Sequence, residues 1–165
     1  MVIIGSYDGY LYALTTTSGE KRRKYEVERD VRSPAAITNN TVYVKSSSVL
    51  AALDLEDGTE RWIADSDQGG GISGPTTTED TVVVPRGHVL FAHDTTDGEE
   101  RRTHDTNGTI DGTPAIANET VYCDSRDGNL SAIDIDSGET AWTYETRSRI
   151  QGAPTVYSSE AAAVK

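Results

Sequence analysis

The sequence predicts an all-β protein built from four tandem units of about forty residues each. Three landmarks recur with that period: a turn glycine, a leucine and a proline, spaced by 39 to 41 residues. They are Gly19, Gly58, Gly98 and Gly138; Leu11, Leu50, Leu90 and Leu130; and Pro34, Pro75, Pro114 and Pro154. A period shared by independent landmarks indicates a repeat architecture.

The landmarks divide the chain into repeats of approximately 1–32, 33–73, 74–112 and 113–152, with a partial fifth unit at 153–165. Each full unit resolves into four short strands. A first strand follows the proline, where extended backbone is favoured, and a second is rich in β-branched and aromatic residues, as at 42–44. After a tight turn comes a third strand, as at 50–53, whose alternation places Leu50 and Ala52 on one face, and a glycine turn leads to a fourth, edge strand.

Four-stranded antiparallel units of this length are the building blocks of β-propellers. One such blade buries too little apolar surface to be stable alone. Stacking blade on blade covers the leucine and alanine faces of neighbouring units, so we predict a single propeller or half-propeller domain.

A recurrent motif resembles the blades of the pyrroloquinoline-quinone (PQQ)-type β-propeller family. The family pattern A-x-D-x-x-x-G-x-x-x-W is complete twice, at Ala52, Asp54, Gly58 and Trp62 and at Ala132, Asp134, Gly138 and Trp142. The resemblance implies that Trp62 and Trp142 each dock onto the next blade. The recurring aspartates Asp54, Asp94 and Asp134 have the position of turn-bracing residues.

Two units depart from the pattern at the tryptophan position. Arg102 stands there in the third unit and Arg23 in the first, where Thr15 also replaces the aspartate. A planar guanidinium can stack as a partial substitute for an indole ring. The first and third blade junctions are therefore expected to be more polar.

The linkers that lead into the prolines should meet at one mouth of the propeller channel. They carry Arg32, Asp111, Arg149 and Gln151, our candidate binding residues, because loops on a rigid scaffold often bind ligands. Neither the three histidines nor Cys123 has the spacing of a metal site or a catalytic pair. We therefore expect no catalytic residues and no metal ligands.

The function that these features favour is a non-enzymatic scaffold that presents loops to a protein or carbohydrate partner. The alternative is a fragment of a PQQ-dependent quinoprotein oxidoreductase. PQQ and calcium are implied by the family resemblance only, and the short loops of this chain lead us to expect no cofactor. The family resemblance does not settle the function.

The net charge of −12 disfavours nucleic-acid partners, and no apolar run is long enough to span a membrane. The opening residues do not resemble a signal peptide. The acidic composition with few lysines is similar to that of halophilic proteins, and the compartment stays open.

Strand order leaves three forms of ring closure open. The chain starts at a second strand, residues 2–4, and ends with a first strand at 154–157 and a second-strand-like stretch at 161–164. One chain could close as a four-bladed ring, two chains could form an eight-bladed ring, or the chain could be a segment of a longer propeller. We favour the homodimer or the segment.

The charge predicts a salt-dependent stability. The unfolding midpoint should rise as potassium chloride increases from millimolar to molar concentration, because screening weakens repulsion between carboxylates. Thermal melts followed by circular dichroism measure this, and a flat or falling midpoint would contradict the halophile interpretation.

Overall fold

The computed structural model describes residues 1–27, 30–65 and 71–157. It contains fifteen strands in four antiparallel sheets, which confirms the predicted all-β architecture. Across these ranges, no helix is long and apolar enough to cross a membrane.

The strands fall into four consecutive blades. Blade 1 consists of β1 (Val2–Gly5), β2 (Tyr10–Leu14) and β3 (Lys21–Glu26). Blade 2 consists of β4 (Ala36–Thr38), β5 (Thr41–Lys45), β6 (Val49–Asp54) and β7 (Glu60–Asp65). Blade 3 consists of β8 (Thr76–Thr77), β9 (Thr81–Arg86), β10 (Val89–Asp94) and β11 (Glu100–Asp105). Blade 4 consists of β12 (Ala115–Ala117), β13 (Thr120–Asp124), β14 (Asn129–Asp134) and β15 (Thr140–Glu145).

Within each blade, every strand pairs with its neighbour in chain order. In blade 2, Leu50 lies opposite Ala64 and Ala52 lies opposite Trp62. The register shifts directly after the repeated alanine in all four blades, at Ala13, Ala52, Ala92 and Ala132. The outer strand therefore bends at the same point in every blade, which places its docking residue beside the next unit.

The junction between blades 2 and 3 is formed by the motif tryptophan. Trp62 is 7% exposed and packs with Tyr43, Leu50, Val82 and Val84. Its indole N–H donates to the Thr95 carbonyl oxygen at 3.0 Å. A Cβ atom at position 98 would lie 2.5 Å from the indole, so Gly98, with φ of +77°, is needed both for the turn and for the approach of the ring.

The junction between blades 1 and 2 uses a different residue. Tyr25, two positions after Arg23, lies over Gly58, where a Cβ atom would overlap its ring. Its hydroxyl donates to the Leu55 carbonyl oxygen at 2.9 Å. The expectation that Arg23 stacks in place of the tryptophan is therefore wrong at this junction, since a tyrosine covers the turn glycine instead.

The junction between blades 3 and 4 is more polar, as expected. The Arg102 Cδ atom would lie 3.4 Å from a Cβ atom at Gly138, and His104 Nδ1 lies 3.2 Å from the Gly138 carbonyl oxygen. A small cavity of about 20 Å³ remains beside Arg102 and Val121. Arg102 thus lies at the docking position but fills it incompletely.

The four blades form an open arc, and the described residues do not close as a four-bladed ring. Trp142 is 47% exposed in blade 4, and Val2 and Ile4 are exposed in blade 1. Within the described residues no sheet follows β15, so the docking of Trp142 onto a next blade stays a prediction.

The predicted first strand at residues 154–157 is also not formed. These residues are described but unpaired, and Tyr157 is 89% exposed. A strand needs a partner for its backbone groups, and β1, the predicted partner, lies at the other end of the arc. The second-strand-like stretch at 161–164 lies outside the described residues.

Replacing Trp62 by alanine should lower the free energy of unfolding by about 3–5 kcal/mol, because it leaves a cavity and removes the hydrogen bond from the indole to the Thr95 carbonyl. Trp142→Ala is the matched control. Trp142 is 47% exposed and contacts only Tyr122 among the aromatic rings of its blade, so its removal should cost less than that of Trp62 at low protein concentration. Urea melts at two concentrations measure both variants, and equal losses independent of concentration would contradict this assignment.

Candidate functional site

The hairpins between second and third strands and the linkers between blades lie at the same end of the molecule. We call this end the loop rim; it comprises the described residues 6–9, 27, 30–33, 46–48, 71–74, 87–88, 106–113, 125–128 and 146–153. Backbone hydrogen bonds join the linkers of blades 1, 3 and 4 to a hairpin, as from Val27 N–H to the Gly9 carbonyl at 2.8 Å and from Thr106 N–H to the His88 carbonyl at 2.8 Å.

All four candidate binding residues lie on the loop rim. The Arg32 guanidinium forms an ion pair with Asp30 at 2.6 Å, and Asp111 accepts from Arg126 Nε at 2.6 Å. Arg149 and Gln151 are exposed. Within the described ranges, no hydrogen bond or ion pair links any two of these four residues, so they do not form one cluster.

An exposed aromatic side chain on the loop rim was not singled out from the sequence. Tyr7 is 71% exposed, and the Arg32 guanidinium lies over its ring at 5.1 Å from the centroid. A groove of about 490 Å³ begins here. It is lined by Tyr7, Asp8, Gly9, Tyr10, Glu26, Val27 and Asp30. We call it the tyrosine groove.

The hairpin under the tyrosine groove is held by short-range hydrogen bonds. The Asp8 carboxylate accepts from the Tyr12 hydroxyl at 2.5 Å and from the Tyr10 N–H at 3.2 Å. The hydrogen bond from Tyr12 is the main cause that lowers the pKa of Asp8, so this carboxylate stays charged. The groove therefore has a rigid, negatively charged wall.

The turns at the opposite end contain the repeated aspartates. Asp54 accepts from the backbone of Glu56 and from Arg61, and Asp94 accepts from Thr96 N–H and Arg101. Asp134 accepts from the backbone N–H of Asp136 and of Ser137. The pKa of each carboxyl is lowered, by Arg61 first for Asp54 and by backbone hydrogen bonds first for the other two. These contacts are local to the turns.

Two charged residues occupy the same buried position in different blades. Lys45 in β5 donates to the Pro85 carbonyl of blade 3 at 3.0 Å, and burial lowers the pKa of its ammonium to about 8. Asp124 in β13 is 1% exposed, and neither carboxylate oxygen has a hydrogen-bond partner among the described residues. Burial raises the pKa of Asp124. An alignment of the four repeats could have identified both charged residues, because the same position is held by the uncharged residues Gly5 in blade 1 and Pro85 in blade 3.

The remaining titratable candidates lie in different surroundings. Cys123 is buried, and desolvation raises the pKa of its thiol to about 12, so the thiol is protonated and inert at neutral pH. Among the described residues, no three histidine, cysteine, aspartate or glutamate side chains are grouped as a metal site would require.

A comparison with known protein families shows which family the chain belongs to. A family model described as outer membrane protein assembly factor BamB matches residues 1–68 and 45–165. The chain belongs to the BamB family. This confirms the resemblance to PQQ-type propeller repeats. No curated protein matches the chain at a significant level.

Solved structures agree on the fold. The chain is similar to BamB from Moraxella catarrhalis, with 24% identity and a TM-score of 0.80 over 94% of this chain and 49% of that one. It is also similar to the computationally designed Ika8 protein, with 16% identity and a TM-score of 0.76 over 91% of this chain and 48% of that one. The chain spans about half the length of both structures.

His93 provides a test of how the core responds to pH. It is buried in blade 3 at the position of Leu53, with Nδ1 3.0 Å from the Gly98 carbonyl oxygen and, in the described part of the chain, no hydrogen-bond partner for Nε2. Desolvation is the main cause that lowers its pKa; nearby Arg86 adds to this, while the Gly98 carbonyl and Glu100 oppose it.

Because the folded pKa of His93 is depressed, the unfolded chain binds the proton more readily below about pH 6.5. Stability should therefore fall as pH decreases through that value, and His93→Leu should reduce the fall. His88→Gln, at an exposed position, is the control. Urea melts between about pH 7.5 and 5.5 measure the effect; identical pH profiles for wild type and His93→Leu would contradict it.

Proposed function

We propose that this BamB-family chain is a non-enzymatic binding module that presents its loop rim to a protein partner. The observation that carries the proposal is the exposed Tyr7 ring with Arg32 stacked over it beside the tyrosine groove. Tyrosine and arginine are enriched among the residues that dominate binding energy at protein interfaces.

Rigidity supports the same function. The Val31 N–H donates to the Ser6 carbonyl at 3.1 Å, and Val31 itself is buried in the first core cluster. Tyr7 and Arg32 thus stand on a hairpin and a linker that are fixed to each other. A partner that binds there orders few additional groups, which lowers the entropic cost of association.

The charges around the groove define the partner segment. Asp8, Glu26 and Asp30 contribute carboxylates, and Arg32 is already ion-paired with Asp30. The surface therefore favours a segment with a lysine or arginine beside an apolar or aromatic side chain. The family description names an outer membrane protein assembly factor, and contact with another protein of an assembly is consistent with that description.

A carbohydrate ligand is the second class that we retain, since the rim also offers hydroxyl and carboxylate groups to a polar ligand. Arg32 covers one face of the Tyr7 ring, which leaves less of that ring for a sugar. We rank this class below a protein partner. A homodimer that completes an eight-bladed ring is a separate proposal, and it depends on the blade faces described below.

We also propose that the module acts without PQQ or calcium. Mixing the chain with both and separating them by gel filtration tests this, because retained quinone absorbance at a stoichiometric level would favour the quinoprotein alternative.

The protein-binding function is tested by placing a photo-crosslinking amino acid at position 7 in the full chain, in extracts of the source cells. Position 97, on an exposed turn at the opposite end, is the control. One protein should be cross-linked from position 7 and not from position 97, and Arg32→Ala should reduce its yield at least about tenfold, as for an interface hot spot. The same cross-links from both positions, or none from position 7, would overturn the proposal.

A further inference from the structure

The two ends of the arc expose faces that are buried wherever two blades meet inside the chain. On β15 these are Trp142 and Tyr144, while Trp62, the counterpart of Trp142, is buried. On β1 they are Val2 and Ile4, whose counterparts in blades 2 and 3 are fully buried. Both ends therefore present apolar surface of the kind that an adjacent blade covers.

The turn glycines show which surface each end would fit. Rings lie over Gly58 and Gly98, and Arg102 lies beside Gly138. At Gly19, with φ of +70°, nothing lies within 4 Å of a Cβ position, so this glycine is ready for a ring but has none in the described chain. The exposed indole of Trp142 could therefore cover a turn such as the one at Gly19.

We propose that the face of blade 4 docks onto the face of blade 1 in a second copy of this chain, and that the reciprocal contact closes a two-fold ring of eight blades. Trp142 then lies over Gly19 of the partner copy. Its indole N–H donates to the carbonyl of Thr16, which has the position that Thr95 has for Trp62.

The buried carboxylate of Asp124 fits the same junction. It lies at a groove of about 320 Å³ that also contains Leu130, Tyr144 and Pro154. The corresponding residue of blade 2, Lys45, reaches across its junction to the Pro85 carbonyl. The position opposite Asp124 in the docked copy is Gly5, which, unlike Pro85, has an N–H to donate. An acceptor thus faces a donor, and the unpaired carboxylate gains a partner.

A strand completes the contact. The sheet of blade 1 has three strands, and β1 pairs only with β2 among the described residues. The unpaired residues 154–157 begin with a proline, as the segments leading into β4 and β12 do, and those strands pair with the counterparts of β1. In the ring, residues 154–157 of one copy add to β1 of the other, twice by symmetry.

The curvature of the arc supports two copies. Four blades superpose on about half of each of two solved propeller chains, with TM-scores of 0.80 and 0.76. Two arcs that each match about half of a propeller can close one ring, and a second copy has both complementary faces. The docked faces are hydrophobic, so high salt, which screens the charge of −12 on each copy, favours the assembly.

The mass of the full chain in molar potassium chloride, measured by light scattering, tests the proposal. We expect twice the 17.8 kDa of one chain. Trp142→Ala should raise the dimer dissociation constant at least about tenfold, as for a central interface tryptophan. Ile72→Ala, at an exposed apolar residue away from both faces, should leave it unchanged. A single-chain mass, a ladder of larger oligomers, or a dimer insensitive to Trp142→Ala would overturn the ring.

A covalent variant gives a second measurement that does not depend on affinity. Val2→Cys combined with Tyr157→Cys should form a disulfide-linked dimer on mild oxidation, whereas either single variant should not. Absence of the link in the double variant would also overturn the ring. Because the tyrosine groove lies within blade 1, Trp142→Ala should preserve cross-linking from position 7, so failure of one proposal is distinguishable from failure of the other.

Discussion

Packing of a flat side chain against a turn glycine of the next blade is the contact on which this structure depends. Trp62 over Gly98 and Tyr25 over Gly58 each bury a ring, and each donates one hydrogen bond to a main-chain carbonyl of the neighbouring turn. The hydrogen bond fixes the orientation of the ring, and the missing Cβ permits its approach. The angle between blades, and hence the curvature of the arc, follows from this contact.

The same contact explains why the junctions differ in polarity. Where Arg102 replaces tryptophan, the guanidinium chain and His104 lie beside Gly138 together, and a small cavity remains. Blades 3 and 4 are instead held by the aliphatic cluster that includes Leu90, Ile110 and Ile133. Stability of the arc is thus distributed between aromatic docking at one junction and aliphatic packing at another.

Much of the fold follows from the sequence because the landmarks repeat. The period and the strand pattern of the units derive from local rules that each blade satisfies by itself. The identity of the docking residue did not follow in blade 1. Arg23 and Tyr25 are two apart on one strand and point to the same face, so their spacing alone does not show which one covers Gly58. The exposure of Trp142 and the absence of a strand at 154–157 depend on what lies beyond the blade, and a motif within one blade contains no information about that.

At the candidate site, the sequence located Arg32 and Asp111 on the loop rim. It did not single out Tyr7, because an exposed tyrosine in a hairpin leaves no periodic signal.

The hydrogen bonds between linkers and hairpins are distinct from the contacts that join one blade to the next. Gly9 with Val27, His88 with Thr106 and Gly128 with Thr146 are pairs within one blade, and none of them belongs to the ring–glycine contacts between blades. Linker residues can therefore diverge from one blade to the next without weakening the stack. A repeat of this kind allows the rim to evolve a new recognition surface one blade at a time, while the frame that supports it stays the same.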